Sequence, residues 1–224
     1  MLPQYYDEKV VVFGIQAWIL DFLMGEFEEQ FFNTDMETAC KRYKRRMDTS
    51  LGPDSVSVSE LEALHNLGFL PIRIKALPEG SRCNIKVPVL TIVNTKPEFF
   101  WLTNYLETVM SSDLWKPMTT ATIAYEYRKI LEKYTELTGA TEETIGIQCH
   151  DFSFRGMSGR HDAAISGMGH LLSFVGTDTV PAIDAAEKYY YANSENELVG
   201  CSVSATEHSV VCFGVADVEA PLRS

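Results

Sequence analysis

From Ile145 to Ser209 the chain repeats one kind of unit three times, in IGIQCHDFSFRG, LLSFVGTDTV and GCSVSATEHS. Each time a short run of apolar or small residues ends in polar, aromatic and glycine residues, and a helix-forming stretch follows. Polar tips gathered at successive strand ends are how an α/β barrel assembles an active site. The pattern predicts strands over Ile145–Cys149, Leu172–Val175 and Gly200–Ala205. It brings His150, Asp151, Phe152, Arg155, Asp178, Ser202, Glu207 and His208 into view as candidate site residues.

The stretches between these units should be helical. Gly156–Leu172 carries Gly159, Gly167 and Gly169. Glycine inside a helix costs about 1 kcal/mol against alanine, so these positions imply close packing or close approach to a ligand. Pro181–Tyr191 has Asp184 and Glu187 early and Lys188 later, the order that suits a helix dipole. A third helix should start at Glu207 and run to Gly214.

The preceding residues have another texture. Val10–Phe13 reads as a strand broken at Gly14, and Ile15, Trp18, Ile19 and Phe22 then recur at helical spacing, the mark of a core helix. Asp35–Met47 should be a helix whose basic run (Lys41, Arg42, Lys44, Arg45, Arg46) is a solvated face. Ser59 and Glu62 fit a capping box ahead of a short helix stopped by Gly68. Leu70–Ala76 alternates apolar and basic residues as a half-buried strand does, and Val87–Val93 reads as a further strand. Two helices, Thr95–Ser111 and about Thr119–Leu137, complete this part, with Gly139 as a stop. The expectation is an α+β domain over 1–144 followed by α/β units over 145–224.

Composition narrows the functional classes. The 224 residues carry a formal net charge of −12, against the basic face of a nucleic-acid binder. The five cysteines are odd in number and lack a CxxC pair, which suits free thiols in a reducing compartment. No stretch reaches membrane-span length, and MLPQYYDEKV has no apolar core of a signal peptide. A soluble, cytoplasmic protein is the expectation. His161 and His170 have no carboxylate or thiolate at ligand spacing, so no metal site is expected there. A Cys149–His208 or Cys201–His208 nucleophile pair lacks a local signature.

LHNLGFLPIRIKALPEG, NTKPEFFWLTNYLETVM, HDFSFRGMS, FVGTDTV and SVSATEHS, in this order, resemble the nicotinamide phosphoribosyltransferase family. The resemblance runs from about Val10 to His208, and the last three motifs in register are the specific part of it. It implies an α+β sandwich domain followed by the first units of an irregular phosphoribosyltransferase-type α/β barrel. It implies transfer of phosphoribose from 5-phosphoribosyl 1-pyrophosphate to nicotinamide, giving nicotinamide mononucleotide and pyrophosphate in NAD salvage. By the same resemblance Phe152 would stack on the pyridine ring. Asp178 would accept from the carboxamide NH₂ and repel the carboxylate of nicotinate. Arg155 would meet a phosphate, while Ser202, the Val203 backbone and His150 would line the pyridine pocket. His208 corresponds to a histidine phosphorylated by ATP, with Glu207 placed to orient it. No tightly bound cofactor is implied, only Mg²⁺ accompanying phosphoribosyl pyrophosphate and ATP as phosphoryl donor. A homodimer or a complementing chain is the implied partner.

Read from the residues alone, His150 also fits a satisfied core histidine, and Asp178 a cap for the helix after Thr179. Against the family pattern, an N-terminal Asp-x-Tyr-Lys type motif and the later pyrophosphate-binding segments are missing. The expectation is therefore a fragment or one part of a split enzyme, inactive alone. The alternatives are a nicotinate phosphoribosyltransferase, or a truncated, inactive homologue that acts as a binding or partner subunit.

Overall fold

The computed structural model describes residues 7–205 and 208–219. The molecule is mixed helix and sheet, and its helices dominate. β1 (Lys9–Val11) pairs antiparallel with β3 (Arg82–Asn84), and β2 (Ile72–Ala76) pairs antiparallel with β4 (Leu90–Asn94). The β2–β4 ladder runs from Ile72 opposite Asn94 to Ala76 opposite Leu90, and alternate residues face the helices as the sequence period requires. The three-residue β3 gives no periodic signal and is absent from the sequence reading.

After β1, Gly14 takes a left-handed conformation, and a Cβ there would stand 2.8 Å from Cγ of Pro117. Helix α1 (Ile15–Trp18) opens from this turn and continues as wider π-helical turns, Ile19–Glu26 and Glu28–Phe32. Its apolar face joins a core of Val12, Ile15, Trp18, Leu64, Phe99, Leu102 and Leu106. Helix α2 (Met36–Leu51) is capped by Asp35, whose side chain accepts from the Thr38 N–H at 2.9 Å. Helix α3 spans Ser59–Leu67. Its expected capping box does not form, because Ser59 already lies inside the first turn and its hydroxyl donates to Glu60.

The two helices expected over 95–137 are one. Helix α4 (Leu102–Thr138) runs for 37 residues through Pro117 and ends at left-handed Gly139. Proline removes one helical N–H, and here the ring is fully buried against Gly14, so tertiary packing holds the helix through a residue that normally ends one.

The expected strand at Ile145–Cys149 is instead a helical turn, α5 (Ile145–Gln148). Leu172–Val175 and Gly200–Ala205 are not continuous strands either. What survives is contact between their ends: single parallel bridges join Asp151 to Thr177 and Gly176 to Cys201. The physical reason is cooperativity. A parallel ladder is sustained by neighbours on both sides and helices on both faces, and one residue of contact per segment does not propagate. The intervening helices form as expected. Helix α6 (Arg160–Leu171) lies against α4 and against α7 (Pro181–Tyr190), and α8 occupies His208–Glu219. A second core cluster joins Val11, Phe13 and Ala17 to Ala121, Met168, Ala182 and Tyr189, which docks α6 and α7 onto β1, α1 and α4. The helix glycines serve packing. A Cβ on Gly167 would lie 2.7 Å from Cβ of Ala182, and one on Gly169 2.7 Å from the Pro117 carbonyl oxygen. No helix among the described residues is long and apolar enough to cross a membrane.

Candidate functional site

Three chain segments meet at the two parallel bridges and bring their polar tips together. The Asp151 N–H donates to the Gly176 carbonyl at 3.1 Å, and the Asp178 N–H donates to the Asp151 carbonyl at 2.9 Å. The Thr177 N–H reaches the Cys201 carbonyl at 2.8 Å, and the Cys201 N–H reaches that of Val175 at 2.7 Å. These four bonds set His150, Asp178 and Ser202 side by side.

Asp178 is the hub. Its Oδ1 accepts from His150 Nε2 at 2.8 Å and from the Ser202 hydroxyl. The Ser202 bond first, then the His150 bond, and the nearby charge of Arg155 hold the Asp178 carboxyl below its ordinary value of 3.8. The group is therefore a stable anion that remains open to solvent. It is no helix cap: α7 begins at Pro181, and the local turn is made by the Thr177 hydroxyl, which accepts from the Thr179 N–H at 2.9 Å.

The Phe152 ring is 60% exposed and leans on the His150 imidazole, with centroids 4.6 Å apart and planes at 35°. Phe152, Phe154, Arg155 and Asp178 line an open cleft of about 350 Å³. An aromatic plate, a fixed carboxylate and a guanidinium thus border one space. That set can hold a flat polar ring through stacking and one directed hydrogen bond, and an anion beside it.

The structure gathers His150, Phe152, Arg155, Asp178 and Ser202, and Val203 follows on the exposed segment after Ser202. His208 is the first residue of α8. Glu207 lies outside the described residues. Cys149 is pushed up by burial, the wrong direction for a nucleophilic thiolate. Among the described residues no three His, Cys, Asp or Glu side chains gather as a metal cluster.

Three supporting residues were not assigned roles from the sequence. Asp151 is buried; its Oδ1 accepts from the Ser153 N–H at 2.8 Å and so shapes the turn that presents Phe152, while its backbone joins the neighbouring segment. Gly176 is needed because a Cβ there would stand 2.9 Å from His150 Nδ1 and 3.2 Å from the Ile147 Cα. His170 stacks on Phe174 at 5.2 Å, and its Nε2 lies 3.2 Å from the Gly176 carbonyl, beneath the site. Burial lowers its pKa from 6.5. The signal available for these was position alone: Asp151 and Gly176 lie within two residues of Phe152 and Asp178.

Residues 147–221, which contain all three segments, match the nicotinate phosphoribosyltransferase (NAPRTase) family. The chain is 59% identical over 214 residues to a nicotinamide phosphoribosyltransferase of Acinetobacter baylyi, an alignment that takes in 96% of this chain and 42% of that protein. It is 36% identical over 145 residues to the nicotinamide phosphoribosyltransferase of Xanthomonas campestris, covering 64% of this chain and 30% of that protein. The Mycoplasma pneumoniae protein of the same name is 35% identical over 146 residues, 64% of this chain and 29% of its own length. The chain thus spans less than half the length of the curated relatives it matches.

Proposed function

We propose that this chain, whose residues 147–221 match the nicotinate phosphoribosyltransferase family and which is 59% identical to a nicotinamide phosphoribosyltransferase over 42% of that protein's length, supplies the pyridine side of a nicotinamide phosphoribosyltransferase site. The reaction joins nicotinamide to the phosphoribosyl group of 5-phosphoribosyl 1-pyrophosphate, releasing nicotinamide mononucleotide and pyrophosphate for NAD salvage. The observation that carries this reading is the Asp178 carboxylate, held anionic by Ser202 and His150 beside the exposed face of Phe152.

The roles follow from the groups present. Phe152 stacks on the pyridine ring. The free oxygen of Asp178 accepts from the carboxamide N–H, and its charge repels the carboxylate of nicotinate. His150 and Ser202 keep that carboxylate ionised and aimed, and the Val203 backbone closes the same wall. Arg155 binds a phosphate as substrate and product exchange. Holding the ring nitrogen toward the sugar supplies the orientation that makes displacement of pyrophosphate effectively unimolecular. His208, the first residue of α8, where backbone N–H groups favour phosphate, is the acceptor of a phosphoryl group from ATP, and Glu207 precedes it in the sequence. Mg²⁺ enters as the counterion of phosphoribosyl pyrophosphate.

The parallel contacts at 151–177 and 176–201 support a reading of residues 145–224 as the first units of an irregular α/β barrel that follows an N-terminal domain over 1–144. The assembled enzyme is read as a cytoplasmic dimer, with the remaining substrate contacts supplied by sequence that the matched 42% of the relative does not include.

The test is ligand preference. Calorimetry or NMR titration of the 224-residue chain should give tighter binding of nicotinamide than of nicotinate. Asp178→Ser should cut nicotinamide affinity by about tenfold, the loss of one charged hydrogen bond, and should narrow the preference. An unchanged preference would overturn the assignment of Asp178.

A further inference from the structure

A cavity of about 370 Å³ opens between the helix that follows Gly14, the middle of α4 and the start of α6. It shares no lining residue with the cleft at Phe152, and nothing in the proposed reaction uses it. Three aromatic rings wall it: Trp18 and Phe22, stacked with centroids 6.2 Å apart, and the exposed Trp115. Carboxylates of all three helical segments also line it, and two of them are satisfied within the chain. Asp162 accepts from Lys116 Nζ at 2.6 Å and from the Ser158 N–H at 2.9 Å. Asp21 accepts from the Tyr189 hydroxyl and from Lys188 Nζ at 3.3 Å, and its Oδ2 lies 3.6 Å from His161 Nε2. Asp113 is the exception. Half-buried on α4, its carboxyl has no hydrogen bond or ion pair among the described residues. Burial pushes its pKa above 3.8; the charge of His161 opposes this, and those of Asp21 and Glu26 add to it. Trp18 supplies a second unmatched group. It is 4% exposed, and its indole N–H has no acceptor, although buried donors are normally paired.

We infer that this cavity is a second ligand site, for a flat organic cation that also carries an acceptor oxygen. The positive charge meets the unpaired Asp113 carboxylate, the ring lies against the aromatic walls, and the oxygen accepts from the Trp18 indole. Each part of the ligand answers a group that the chain itself leaves unmatched. Indole faces attract cations, and the Lys116 ammonium already lies 5.5 Å from the centroid of Trp115. A delocalised cation is weakly hydrated, so it approaches a half-buried carboxylate at less desolvation cost than an ammonium does. A metal ion fits poorly, because among the described residues no three His, Cys, Asp or Glu side chains gather closely enough to hold one. An anion fits poorly too, since Lys116 is already engaged by Asp162 and the other lining carboxylates repel it. The site stands on residues outside the pyridine cleft, so the inference does not rest on the proposed function.

The experiment titrates the 224-residue chain with 1-methylnicotinamide, a flat cation with a carbonyl oxygen, and with nicotinamide, the neutral ring of nearly the same shape. Calorimetry and tryptophan fluorescence give the readouts. Both probes also fit the cleft at Phe152, so the titrations are repeated in Asp178→Ser, which disables that cleft and leaves the cavity intact. In that background the cation should still bind and quench tryptophan fluorescence, and nicotinamide should bind at least tenfold more weakly. Asp113→Asn keeps the shape and removes the charge, and should weaken binding of the cation about tenfold. Trp115→Ala, at an exposed position, gives a second reading should Asp113→Asn fold poorly, and should weaken the cation by a similar factor. No saturable binding of the cation below about 10 mM in Asp178→Ser, equal binding of the two probes there, or an affinity indifferent to both cavity variants would overturn the inference.

Discussion

The pair β2–β4 and the seam through Asp151, Thr177 and Cys201 use strand contact in opposite ways. In β2–β4 five residues on each side pair in register, and the ladder buries one face against helices. At the seam, two bridges of one residue each hold three segments whose value lies in the side chains at their tips. The first is local and repetitive, and stability accrues along it. The second is built from single contacts, and its stability is borrowed from α4, α6 and α7 packed around it. Positions in the first region should therefore affect folding alone, while positions at the seam should affect folding and ligand together.

The largest expected effect lies in the core on which β2 and β4 pack. Leu64 is fully buried in the core shared with Leu102 and Phe99. Leu64→Ala should cost about 2–5 kcal/mol by chemical denaturation. Nicotinamide affinity of the folded fraction should stay within twofold; a specific loss of affinity would break the division.

At the seam, Gly176→Ala drives a methyl group into His150 and the Ile147 backbone. The expected cost is smaller, about 1–3 kcal/mol, as for other overpacked sites. Here nicotinamide binding should weaken as well, because the clash moves the imidazole that aims Asp178. A matched control is Gly80→Ala, at φ +78° with no atom within 4 Å of the added carbon. It should cost about 1 kcal/mol from backbone strain alone and leave binding untouched.

The smallest effect concerns pH. Burial depresses His170 below 6.5 in the folded chain. As pH falls through 6.5 the unfolded chain takes up a proton that the folded chain refuses, so stability should decline with falling pH in that window. His170→Gln should flatten the slope between pH 7 and 5.5 in denaturant titrations. An unchanged slope would place the titrating group elsewhere.

How much of this was legible in the sequence varies with the range of the interaction that decides it. The alternation of Ile72, Ile74 and Ala76 against Arg73 and Lys75 belongs to the strand itself, and the strand formed. Asp35 caps its own helix and Gly139 ends another, through bonds within a few residues. The site residues were legible because HDF, GTD and the serine-valine pair sit at fixed places after the segments that carry them. Their contacts were not. Nothing in the order of residues says that Asp178 meets His150 and Ser202 rather than capping α7, since the three lie 28 and 24 residues apart.

The sequence by itself determined the helices α2, α3, α6 and α7, the β2–β4 strands and the identity of the polar tips, because periodicity and turn chemistry act over a few residues. Tertiary structure alone decided that α4 runs unbroken through Pro117, that Ile145–Gln148 coils rather than extends, and that Gly176 leaves room for His150. At Pro117 and Gly176 the deciding atom belongs to another segment, the Gly14 turn and the His150 imidazole, and at Ile145–Gln148 no neighbouring strand pairs along the segment to sustain a ladder. Local preference is overruled where a close-packed neighbour leaves only one conformation free of overlap.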